Sequence, residues 1–206
     1  MSTSDHPLGD DLRYVFKYLN SFMLLMWRLG LGPWLNSWPE GFGQIMVISH
    51  KGRKTNIKRC TPVNYAIVDE IIYCTAGFGP KSDWYRNIIA NPEVEVWFCR
   101  GFFKREEWWA GIADVVSDPD LRLPLLRKVI IASGFASRLA GLNPYKMTQE
   151  EFAHATEKYQ LLRIKLTKAL TGQGGPGELS WIWPNLSVTL LFYILLLRLL
   201  RKKKIT

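Results

Sequence analysis

The sequence predicts an α+β protein built on an antiparallel sheet or barrel, and three observations predict it. Runs rich in β-branched and aromatic residues follow one another with only short turns between them. Segments with helical spacing are inserted mainly late in the chain. Of 206 residues, 48% are hydrophobic and 22% charged, enough to give one domain a real core. That balance excludes a disordered chain, and three scattered cysteines exclude a disulfide framework.

The chain begins with a polar, acidic stretch, Met1–Asp11, which does not read as a signal peptide. Asp10 or Asp11 is expected to cap a helix running to about Leu29, where Gly30, Gly32 and Pro33 stop it. On a helical wheel Arg13, Lys17, Asn20, Ser21 and Arg28 share one narrow polar sector, and Val15, Phe16, Leu19, Phe22, Met23, Leu25, Met26 and Trp27 fill the rest. Such a helix suits a membrane interface or a place between the domain and a partner.

Strands are expected at Gln44–Ser49, Ile57–Val68, Ile71–Thr75, Val94–Cys99, Trp108–Val116 and Leu161–Leu166. Val68-Asp69-Glu70 is a hairpin turn, and Lys51-Gly52-Arg53-Lys54-Thr55-Asn56 is a second, basic one. A short helix spans Ser82–Ala90 and stops at Asn91-Pro92. Asp118–Ser133 and Thr148–Lys158 are helical, the latter opened by a capping box of Thr148 and Glu151. Residues 1–40 therefore form an amphipathic helix and connector, and residues 41–170 the domain. Residues 171–178 (TGQGGPGE) form a Gly-rich linker, and residues 179–206 a hydrophobic helix with a basic end.

The net charge of +9 is local. Five basic residues, Lys51, Arg53, Lys54, Lys58 and Arg59, lie in the basic turn and just after it. Five more, Arg198, Arg201, Lys202, Lys203 and Lys204, close the chain. Without those ten, 17 positive charges face 18 negative ones, so a general nucleic-acid surface is disfavoured. Leu179–Leu197 carries no charge, and Trp181, Trp183 and Tyr193 suit a lipid–water boundary. We expect this segment to lie in the cytoplasmic leaflet with its basic end on anionic lipid, spanning being the alternative.

Protein-supplied chemistry has no visible basis. His6, His50 and His154 are far apart, and Cys60, Cys74 and Cys99 lack metal-ligand or redox spacing. Nucleophile-elbow, P-loop and dinucleotide fingerprints are absent, so a borrowed cofactor is the better expectation. The basic turn His50–Thr55 with Arg59 has the chemistry to hold a phosphate or carboxylate, though read alone it is equally a solvated turn. Cys74–Gly79 ends a strand and Ser82–Asn87 opens a helix. Small residues and free N–H groups at such a junction can receive a flat polar ring, or Trp84 can be a core plug and Asn87 a cap.

Together ISHKGRKTNIKRCTPV and IIYCTAGFGPKSDWYRNIIANPEVEV resemble the deazaflavin-dependent nitroreductase family, whose members carry a G-R-K-[ST] turn, then an Arg and a Pro, then W-x-x-N and A-N-P. The resemblance is close over about Ile45–Val96 and looser on to Leu170. It implies a split antiparallel β-barrel of the FMN-binding type. It also implies the reduced 8-hydroxy-5-deazaflavin coenzyme (factor 420), with FMN as alternative. By resemblance Arg53, Lys54, Thr55 and Arg59 hold the coenzyme's phosphate and acidic tail, and Cys60, Thr61, Pro62, Val63 and Asn64 continue that wall. Cys74, Thr75, Ala76 and Gly77 face the ring, and Asp83, Trp84 and Asn87 close it.

The sequence departs from the family pattern at Asn56, where many relatives have Gly, and in the compact Phe78–Lys81 loop. Relatives that reduce nitroaromatics present tyrosines from the C-terminal region, where this chain offers Tyr145 and Tyr159. The expected activity is hydride transfer to a small lipophilic acceptor on the cytoplasmic membrane face, the alternatives being an FMN-binding oxidoreductase or a non-catalytic cofactor-binding or membrane-surface protein. The expected partners are membrane lipid through both terminal helices and, since many split barrels pair, a second copy of the chain. No side chain is assigned as general acid.

Overall fold

A computed structural model describes residues 8–38, 43–100 and 105–203. Met1–Pro7 and Lys204, which carry the start of the polar N-terminal stretch and the last basic residue, lie outside the described residues. The order is α1 (Leu8–Arg28), α2 (Gly32–Asn36), β1 (Ile45–Lys51), β2 (Lys58–Val68), β3 (Ile71–Ala76) and α3 (Asp83–Ala90). Then come β4 (Glu93–Arg100), β5 (Arg105–Val115), α4 (Pro119–Ala132), α5 (Phe135–Leu139), α6 (Gln149–Ala155), β6 (Gln160–Ala169) and α7 (Ile182–Lys203).

The six strands close into an antiparallel barrel in the order β1-β2-β3-β6-β5-β4. Strand alternation divides the apolar residues between two sides. Met46, Ile48, Val63, Tyr65, Ile72, Cys74, Val96, Phe98, Leu162 and Ile164 fill the interior. Outward residues are covered as well. Tyr73 and Leu161 meet Leu126, Val129, Ile130 and Phe152 of α4 and α6, while Val47, Trp97 and Cys99 meet Trp27 and Leu35 of α1 and α2. This is why β1 reads as an unbroken apolar run: six consecutive residues are buried because both faces are packed.

Several boundaries differ from expectation. α1 begins at Leu8, so Asp10 and Asp11 lie in its first turn instead of capping it. Past the left-handed Gly30, Pro33 starts α2, a helix the sequence did not announce, because Pro fits a first turn as readily as it ends a helix. Asn36 of α2 is buried and mimics a strand neighbour, accepting from Ile45 N at 2.9 Å and donating to Ile45 O at 2.9 Å. Gly134, at φ 57°, separates α4 from α5. The helix opened by Thr148 ends at Ala155, with the capping box formed.

The Gly-rich segment is laid along the body. Gly177 N and Leu179 N donate to Trp27 O and Arg28 O at 2.9 and 2.8 Å, Arg28 pairs with Glu178, and Gly175 sits on the Trp108 ring where a Cβ would fall 2.4 Å from it. α7 starts three residues after the uncharged run begins. Its uncharged part, Ile182–Leu197, is therefore about 24 Å long, short of a hydrocarbon core of about 30 Å. Among the described residues no helix is long and apolar enough to cross a membrane.

Candidate functional site

The basic turn is fixed by its backbone. Gly52 N donates to Ile57 O at 3.0 Å, Asn56 N donates to Gly52 O at 2.8 Å, and Asn56 takes φ 53°. This left-handed residue accounts for the departure from the family pattern, since Asn is the residue after Gly that best tolerates the conformation. Arg53 then ties the turn to α3. Its N–H and Nη1 donate to Asn87 Oδ1 at 3.1 and 2.9 Å, and its Nη2 donates to Asp83 Oδ1 at 3.0 Å. That hydrogen bond from Arg53 holds the Asp83 carboxyl below its ordinary range.

The two donors on Asn87 Oδ1 orient its amide, so Nδ2 points to His50 Nδ1 at 3.4 Å. His50 Nε2 is then left to carry the proton toward Thr61 Oγ1 at 3.2 Å. His50 is 3% exposed, and its pKa is lowered to about 4, by burial first and by the charge of Arg59 second. It is therefore neutral at pH 7. One chain of hydrogen bonds thus joins Asp83, Arg53, Asn87, His50 and Thr61 across α3, the turn, β1 and β2.

This chain borders a cleft of about 750 Å³. Eleven of the sixteen residues singled out in the sequence line it: Arg59, Cys60, Thr61, Pro62, Val63, Asn64, Thr75, Gly77, Asp83, Trp84 and Asn87. The other five stand apart. Arg53 supports the wall from behind, Lys54 and Thr55 are exposed on the turn, and Cys74 and Ala76 turn their side chains into the barrel. Strand alternation decides this last point: Thr75 and Gly77 face the cleft, whereas Cys74, whose thiol burial pushes well up, offers a ligand only its backbone.

Three contributors were not legible as cleft residues. His50 was read only as part of the turn. Tyr159 lines the cleft beside Gly77, where a Cβ would lie 3.6 Å from its ring, and burial raises its pKa, whereas Tyr145 is 76% exposed and lines no part of the cleft. Lys17, Asn20 and Ser21 of α1 also line it, so three members of the polar stripe face the cleft. α4 and the segment after it add a mainly apolar stretch, Ile130, Phe135, Ala136, Ala140 and Leu142, with Ser133 and Ser137 among them.

Residues 34–130 match the family model described as F420H(2)-dependent quinone reductase. That match bears out the family resemblance read from the motifs. It covers just under half of the chain and contains both of them, and it makes the family one of oxidoreductases that use F420. No curated protein matches the chain. Among solved structures, an F420 reductase is similar at 19% identity and TM-score 0.40, covering 65% of this chain and 94% of its own. A conserved hypothetical protein from Mycobacterium tuberculosis is 18% identical (TM-score 0.43, covering 61% and 74%). A heme storage protein from Vibrio cholerae is 11% identical (TM-score 0.44, covering 71% and 96%).

The residues present fit a deazaflavin coenzyme. The cleft is large enough for a tricyclic ring with a tail, and its donor set combines cations with hydroxyl, amide and backbone N–H groups. The small residue Gly77 keeps the space before Tyr159 open.

Proposed function

We propose that the protein is a deazaflavin-dependent oxidoreductase acting on a lipophilic electrophilic acceptor, such as a quinone, enone, unsaturated lipid or nitro compound, at the cytoplasmic face of the membrane. The observation that carries this reading is the single cleft holding a cationic wall, a strand-to-helix junction and a mainly apolar wall within one volume. When bound, the reduced coenzyme supplies the hydride.

The protein's own work is binding, alignment and exclusion of water. Arg59 is suited to the acidic tail, and Thr75, Gly77 and Trp84 to the flat ring. Tyr159 and Thr61 have hydroxyls that can direct an acceptor carbonyl or nitro oxygen. His50 holds Thr61 in place without itself carrying charge. Ile130, Phe135 and Leu142 give an apolar acceptor a dry surface. The membrane location draws support from α7, whose apolar side chains from Leu186 to Leu197 are exposed.

Fluorescence titration of the purified chain in mild detergent, with the deazaflavin coenzyme and separately with FMN, tests the proposal. Micromolar deazaflavin binding, weakened in Arg59→Ala, followed by oxidation of the bound reduced coenzyme on adding a quinone, is the expected result. Binding of FMN alone changes the cofactor, and binding of neither overturns the enzyme reading.

A further inference from the structure

Lys17 and Arg59 both line the cleft, one from α1 and the other from β2. Asp83, the acid in the lining, is already taken by Arg53. With its carboxylate already bonded to Arg53, the lining carries two further cations, a balance that favours an anionic occupant. A helix serving only as a membrane float would direct its lysine toward lipid headgroups. α1 does otherwise. Lys17, Asn20 and Ser21 line the cleft together with Leu19, Phe22 and Met23, and Arg28 is consumed by Glu178.

We propose that α1 is a ligand-binding wall, with Lys17 taking a phosphate or carboxylate of the cleft's occupant together with Arg59, and Asn20 beside it. The proposal rests on the reading of the cleft as a coenzyme site and adds a residue from outside the barrel. It follows that the ligand holds α1 against β2, and that loosening α1 weakens the ligand in return.

The test is a fluorescence titration of the full chain in mild detergent with the deazaflavin coenzyme, at low and high salt, for wild type, Lys17→Ala and Lys17→Arg. Lys17→Ala is expected to bind roughly tenfold more weakly with a flatter salt dependence, and Lys17→Arg to restore most of the affinity. Melting without coenzyme should be the same in all three, because Lys17 is exposed. Equal affinity of wild type and Lys17→Ala overturns this inference and leaves the coenzyme reading standing. A wild type that binds no deazaflavin overturns both.

Discussion

His50 shows how a single residue changes meaning between sequence and structure. In the sequence it is the first letter of a basic turn. In the fold it is buried between Asn87 and Thr61, with its pKa lowered to about 4 against an ordinary 6.5. Because the folded value is the lower one, the unfolded chain binds the extra proton first. Stability is therefore full above about pH 6.5 and falls as the pH drops toward 4, by about 3 kcal/mol over that window. Urea unfolding at pH 7.5, 5.5 and 4.5 should show this loss in wild type and a much smaller one in His50→Gln. A second residue-level prediction concerns Tyr159, whose hydroxyl lies in the cleft lining as a donor, burial raising its pKa further above the ordinary value. Tyr159→Phe should lower kcat/KM for a quinone about tenfold with coenzyme affinity unchanged, read by steady-state kinetics beside the titration. Spacing along the chain could not single out either residue, since each faces the cleft only after strands or helices distant in sequence are brought together.

Elements were legible where local rules and tertiary packing agree, as in the capping box of α6 and the strand runs of the barrel. They were missed where one residue has two uses. Pro33 was read as a stop and opens α2, and Gly134 splits one expected helix from a second short one, α5. The sixteen site residues divide for a similar reason: period-two alternation sends Cys74 and Ala76 inward while Thr75 and Gly77 face the cleft, and a contiguous motif conceals that. The β2–β3 hairpin carries a prediction at this scale. Asp69 and Glu70 both hold positive φ, 50° and 62°, the geometry that favours Asn-Gly. Replacing the pair by Asn-Gly should raise thermal stability by about 1 kcal/mol, because a non-Gly left-handed residue costs that much and the exposed ion pair between Glu70 and Arg100 returns little.

At the scale of the whole molecule, one device joins the N-terminal helix, the barrel and the C-terminal helix. The segment before α7 is hydrogen-bonded to the end of α1, Gly175 rests on Trp108 of β5, and Trp183 Nε1 donates to Leu29 O at 2.8 Å. α7 is thus carried by the same helix that walls the cleft. Its exposed apolar side chains, from Leu186 to Leu197, face no other described element, while Arg198 follows them. A lipid surface satisfies both features, and a second copy of the chain satisfies only the first. Co-sedimentation with vesicles separates them. Binding to vesicles containing anionic lipid, weaker on neutral ones and strongly reduced in Leu190→Glu with Phe192→Glu, is expected for the lipid surface. Dimerisation without vesicle binding would assign α7 to a protein interface. The paired substitutions lie far along α7 from the cleft lining, so coenzyme affinity should survive them. Gly175→Leu, which drives a side chain into the Trp108 ring, should instead loosen the strap and lower vesicle binding and coenzyme affinity together.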